Sequence, residues 1–94
     1  MKNINNIKLI KGAFSPEDAK ELLRNLYNSK INFHNIKNFS SSERLGKPDK
    51  NSIKRIPELK ESLKNISLLL DVAIEKKYKV KLHSIVEIEF VGKK

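Results

Sequence analysis

The sequence has no cysteine and no tryptophan, and only three glycines and three prolines among 94 residues. Without cysteine there is neither a disulfide nor a thiolate metal site, which fits a reducing cytoplasm. No apolar run approaches the ~20 residues that a membrane span requires. The first residues, MKNINNIKLIKG, lack the continuous apolar core and small-residue cleavage site of a secretory signal. A soluble cytoplasmic protein with no membrane association is expected, and at this length one domain.

Arginine is scarce as well. Lysine supplies 17 of the 20 basic residues and arginine only 3, against 11 acidic residues, for a net charge of +9. A strongly basic chain invites a nucleic-acid reading. Bidentate grips on phosphate or guanine use the planar fork of arginine, however, and that is what the chain lacks. The charge is also spread thinly: residues 1–14, 15–39, 40–52, 53–77 and 78–94 carry +3, +1, +1, +2 and +2. A nucleic-acid-binding stripe is clustered instead. Lysine, asparagine and isoleucine all have AT-rich codons, so part of the charge is attributable to composition. Nucleic acid is therefore kept as a second choice of partner.

The dominant pattern lies between Asn51 and Lys77. Ile56, Leu59, Leu63, Ile66, Leu70 and Ala73 recur there at alternating steps of three and four, one apolar stripe down a helix. Pro57 would remove a backbone hydrogen bond if the helix began at Asn51 or Ser52, so a helix over about 53–77 with an irregular start or a kink is expected. Leu68, Leu69, Leu70, Val72 and Ile74 are too many to face one neighbour, and the terminal strands are expected to cover them.

Upstream, residues 5–11 read as a short strand, with Ile7 and Leu9 on one side, Lys8 and Ile10 on the other, and Gly12 ending it. Ser15, Pro16 and Asp18 then form a helix start: an N-cap, a proline at the first position and a capping-box carboxylate. Ala19, Leu22, Leu26, Phe33 and Ile36 follow at heptad-like spacing, so a helix is expected over about 16–39, roughly 36 Å long. Asn25, Asn28, Asn32, Asn35 and Asn38 form a polar strip that reads as a solvated face. The cluster SSSERLGKPDK predicts a loop over 40–50, because Pro48 pushes Lys47 out of helical geometry. Residues 78–91 alternate: Val80, Leu82, Ser84, Val86, Ile88 and Phe90 against Lys79, Lys81, His83, Ile85, Glu87 and Glu89. That predicts a strand with one buried face.

The fold class is α+β, with order β-α-α-β and a long antiparallel helical hairpin packed on a small antiparallel sheet. Two features are not closed within one chain. A two-stranded sheet is marginal in water, and a second strand longer than the first leaves an edge unpaired. Phe33, Ile36, Phe39, Ile53, Ile56 and Leu59 lie toward the loop, beyond the sheet's reach, and are the candidate self-association residues. A homodimer that completes the sheet or pairs two hairpins is the expected partner arrangement.

Few residues point to chemistry. No catalytic, cofactor-binding or metal-binding set is assigned, and no cofactor is expected. There is no glycine-rich phosphate loop, and Ser40, Ser41 and Ser42 have no adjacent base. His34 and His83 lie on different elements. Glu87 and Glu89 share a strand face with His83, about 7 Å apart per step, a spacing that a metal-dependent hydrolase could use but that an alternating solvated face also produces. Arg44, Lys47, Lys50, Lys54 and Arg55 form the densest basic group and are the candidate phosphate or nucleic-acid contacts. The stretches LIKGAFSPEDAKELL and KINFHNIKNFSSSERLGK resemble segments of small uncharacterised bacterial proteins; the resemblance implies a stand-alone bacterial protein and brings no activity or site residue with it. The sequence thus points to a non-enzymatic, homodimeric protein-interaction module, with a nucleic-acid-binding accessory protein as the alternative.

Overall fold

A computed structural model of the chain describes residues 4–92. The order is β1 (Ile4–Phe14), α1 (Pro16–Leu45), α2 (Lys50–Lys76) and β2 (Val80–Glu89). The two strands form one antiparallel sheet, and the two helices an antiparallel hairpin. The α+β architecture expected from the residue pattern is therefore present, with β1 and both helices longer than the pattern suggested and β2 shorter than the expected 78–91.

The start of α1 is where the sequence put it. Ser15 is extended (φ −66°, ψ 151°) and its hydroxyl accepts from the Asp18 N–H at 3.1 Å, with Pro16 in the first turn. The end is not. The helix continues through Ser40–Leu45, because serine weakens a helix only slightly and nothing in that stretch breaks one. Gly46 does, at φ 68°, donating its N–H back to the Ser42 carbonyl at 3.0 Å. The expected loop over 40–50 thus shrinks to residues 46–49. It is clamped by side chains: Ser41 donates to the Lys47 carbonyl at 2.9 Å, and Asn38 accepts from the Asp49 N–H at 2.8 Å. Asn38 thereby leaves the solvated asparagine strip.

α2 begins at Lys50, ahead of Pro57, with Asp49 rather than Asn51 or Ser52 as its cap; the Asp49 carboxylate accepts from the Ser52 N–H at 3.0 Å. Pro57 is carried inside the helix, where it offers no N–H to the carbonyl of Ile53. The other end closes on Lys77, a non-glycine residue at φ 61°. Near this end Lys20 and Asp71 tie the two helices with a 2.6 Å ion pair.

The sheet corrects two expectations. β1 does not end at Gly12, which continues the strand at φ 151°, a region that glycine enters freely. It pairs with β2 along its full length, from Ile4 opposite Glu89 to Phe14 opposite Val80, so no long edge of β2 is left over. A bulge at Leu9, between Lys8 and Ile10, also changes the facing of β1. Ile10 pairs with Ser84 and Ile7 with Val86, so Ile7 and Ile10 share the face that carries Leu82, Val86 and Ile88. Strict alternation had put them on opposite faces.

The core is thin. Ile10, Ala19, Ile31, Leu59, Leu70 and Ala73 are its buried apolar residues, and the molecule measures 50 × 35 × 14 Å. The hairpin covers the sheet from Phe14 and Val80 as far as Ile10 and Ser84; toward Ile4 and Glu89 the ribbon runs out beyond it, leaving Ile7, Val86 and Ile88 exposed. The strands do not cover the outer side of α2 either: Leu70 is buried, but Leu68, Leu69 and Val72 stay exposed.

Candidate functional site

The basic residues singled out in the sequence do not form one group. Arg44, Lys47 and Lys50 are exposed at the hairpin tip. Lys54 and Arg55 lie one helical turn further on and face a different feature, a cleft of about 420 Å³ between the helices. Its lining is Lys30 and His34 from α1 with Asn51, Lys54, Arg55 and Glu58 from α2. The spacings explain the convergence, since residues three or four apart share a helix face. Lys30 and His34 are one such pair; Asn51, Lys54, Arg55 and Glu58 are one such row.

Polar bonds fix part of this cleft. Arg55 donates to the Glu58 carboxylate at 2.9 Å. Lys30 lies 5.3 Å from the ring centre of Phe33, with Lys37 at 5.9 Å, and Phe33 meets His34 edge-on at 5.3 Å. Neither Lys30 nor Lys54 has a carboxylate partner among the described residues. Beneath the surface His34 Nδ1 lies 2.9 Å from the hydroxyl of Ser52, which is fully buried. His34 Nε2 is buried with no partner. The Ser52 N–H donates to the Asp49 carboxylate at 3.0 Å; hydrogen bonding from Ser52, with Lys37 and His34 adding, holds the Asp49 carboxyl below the usual carboxylate range. His34, Ser52 and Asp49 thus form a chain of polar groups across the base of the loop. Nothing in the sequence marks that pairing, because it depends on which turns of two separate helices meet.

A second cleft of about 460 Å³ adjoins the first and shares Lys30 and Arg55 with it. Leu9, Ile10, Leu26, Leu59 and Leu82 give it apolar walls between the hairpin and the sheet. His83, Glu87 and Glu89 lie on the opposite, outer face of β2, opposite Lys11, Asn6 and Ile4. Among the described residues no three histidine, aspartate or glutamate side chains come together as a metal site would need. No helix among them is long and apolar enough to cross a membrane.

The six candidate self-association residues divide. Phe33 (52% exposed), Ile36 (58%), Phe39 (67%) and Ile53 (48%) are open to solvent, whereas Ile56 is half-buried. Leu59, at 5%, belongs to the core instead, and lines the cleft between the hairpin and the sheet with Ile10 and Leu82. Eighteen large apolar side chains are exposed among the described residues; apart from Leu26 and Tyr78 they fall in three groups: the loop half of the hairpin, the ribbon end, and the outer side of α2.

Compared with family models, curated proteins and solved structures, the chain matches none.

Proposed function

We propose that this protein is a non-enzymatic protein-interaction module that works as a homodimer. One observation carries the reading: the chain has far more surface than its mass requires. It exposes 7865 Å², whereas a compact monomer of 10.9 kDa exposes about 5,600 Å². The excess is about 2,300 Å² per chain. Its radius of gyration is 16.9 Å, against about 12 Å for a compact domain of this length.

That excess is of the size that association consumes. Obligate homodimers bury roughly 2,000–5,000 Å² in total, counted over both partners. If each copy hid only half of its excess, two copies would bury about 2,300 Å². Eighteen large apolar side chains are exposed among the described residues, and contiguous apolar patches beyond a few hundred Å² mark interaction sites. Two surfaces suit a second copy. One is the ribbon end, with Ile7, Val86 and Ile88 beyond the hairpin; the other is the loop half of α1 and α2, with Phe33, Ile36, Phe39 and Ile53. A strand end laid on a partner's hairpin would cover both at once and in a symmetric, self-closing way.

The test places a charge in each surface. Val86→Asp with Ile88→Asp, and separately Phe33→Asp with Phe39→Asp, are compared with wild type by sedimentation velocity, and far-UV circular dichroism checks helix content. The expected result is a shift to monomer with helices retained. A dimer that persists in both variants, or a wild type that is already monomeric, would remove the proposal.

A further inference from the structure

We infer that the cleft between the helices binds a phosphomonoester: the phosphate group of a small molecule, held by Lys30, Lys54 and Arg55 with Asn51. The inference is independent of the dimer, since every residue concerned lies in one chain.

Four observations converge on an anion. Three cations and one carboxylate line the cleft, which leaves it a net charge of +2 with His34 neutral. A phosphomonoester carries about −1.5 to −2 at neutral pH, so the two match. Two of the cations, Lys30 and Lys54, have no carboxylate partner among the described residues. The cations come from both helices, Lys30 from α1 and Lys54 and Arg55 from α2. Finally, Asn51 adds a polar side chain to the cleft wall, and its amide has no hydrogen-bond partner among the described residues, so it is available as a donor.

The roles follow from side-chain shape. Lys30 and Lys54 act as point charges from opposite walls. Arg55 supplies a fork, one arm of which Glu58 now occupies at 2.9 Å. An incoming phosphate competes with Glu58 for it. A volume of about 420 Å³ falls within the range of small-molecule sites and leaves space for the group that the phosphate esterifies. The adjoining apolar cleft, sharing Lys30 and Arg55, gives that group somewhere to lie.

A nucleic-acid backbone also presents phosphate, as a diester with a single charge per group, and is the other source to be told apart. Isotope-edited NMR of the full chain separates the sources and tests the site. Sodium phosphate is titrated at constant ionic strength against sodium chloride, followed by a single-stranded thymidine dodecamer. Saturable shifts confined to the amides around Lys30, His34, Asn51, Lys54 and Arg55 are expected with phosphate. Lys30→Gln and Lys54→Gln should each weaken binding by about tenfold or more, the loss of one charge-assisted bond, with the remaining spectrum unchanged. Lys64→Gln, outside the cleft, serves as the control and should leave affinity alone. Glu58→Gln should tighten binding, because it frees the Arg55 fork, an effect that a merely structural role would not produce. The dodecamer binding at the same residues, displaced by phosphate, would name the backbone as source; phosphate alone shifting them would name a free monoester. Shifts scattered over the surface lysines, no saturation, wild-type affinity in the two lysine variants, or weaker binding by Glu58→Gln would each overturn the inference.

Discussion

Ser52→Ala tests the packing of the hairpin at its most sensitive polar point. Ser52 is fully buried, and its hydroxyl lies 2.9 Å from His34 Nδ1. The Ser52 N–H donates to the Asp49 carboxylate at 3.0 Å, and in either tautomer of His34 the hydroxyl is the partner of Nδ1. His34 Nε2 already lacks a partner. Removing the hydroxyl therefore leaves both ring nitrogens unsatisfied. An orphaned buried polar group costs about 1–3 kcal/mol, and the better helix propensity of alanine returns about 0.5 kcal/mol. The net loss should be about 1–2 kcal/mol. With a urea slope of about 1 kcal/mol/M for a small protein, the midpoint falls by about 1–2 M. His34→Leu removes both ring nitrogens together, so Ser52→Ala made in that background should cost about 1 kcal/mol less than it does alone. All four members of the cycle are unfolded in urea at one protein concentration, because association would shift each midpoint. A Ser52→Ala midpoint within error of wild type, or additive effects in the double variant, would refute the polar chain.

Two further predictions concern helix ends and acid. Lys77 closes α2 at φ 61°, where a side chain is strained, so Lys77→Gly should stabilise by about 1 kcal/mol and raise the melting temperature by about 5 °C; a lower melting temperature would contradict that geometry. The Asp49 carboxyl has its pKa lowered in the folded state by Ser52 first, then Lys37 and His34. A group depressed on folding gives its full stabilisation above the unfolded value, about 4, and loses it as pH falls through the lower folded value. Melting temperatures from pH 6 to pH 2 should show this loss in wild type, whereas Asp49→Asn, which still caps the helix, should lack that component; identical profiles would exclude it.

Much of the architecture is readable in the residues because it depends on local periodicity. The stripe from Ile56 to Ala73, the alternation of Val80 to Ile88 and the Ser15–Pro16 cap each specify an element within a few neighbours. The failures share the opposite character. Serines 40–42 looked like a break, yet serine is only mildly unfavourable in a helix, and Gly46 alone ends it. Pro57 looked like a boundary, yet the Asp49 cap starts α2 ahead of it and the helix absorbs the lost bond. The bulge at Leu9 leaves no composition signal, but it decides that Ile7 faces the same way as Ile10. The cleft was half legible: Lys54 and Arg55 stood out as charges, while Lys30, His34 and Asn51 join them only once the register of the hairpin is known. Ser52 reads as a surface cap residue and is instead buried against His34 at the loop end of the hairpin.

The central claim is that a chain with about 2,300 Å² of surplus surface covers it with a second copy of itself. Size-exclusion chromatography with multi-angle light scattering on the unmodified protein at micromolar concentration tests this most directly. The account predicts a mass of twice the 10.9 kDa chain. A single species of 10.9 kDa that holds its mass across a concentration series would contradict it.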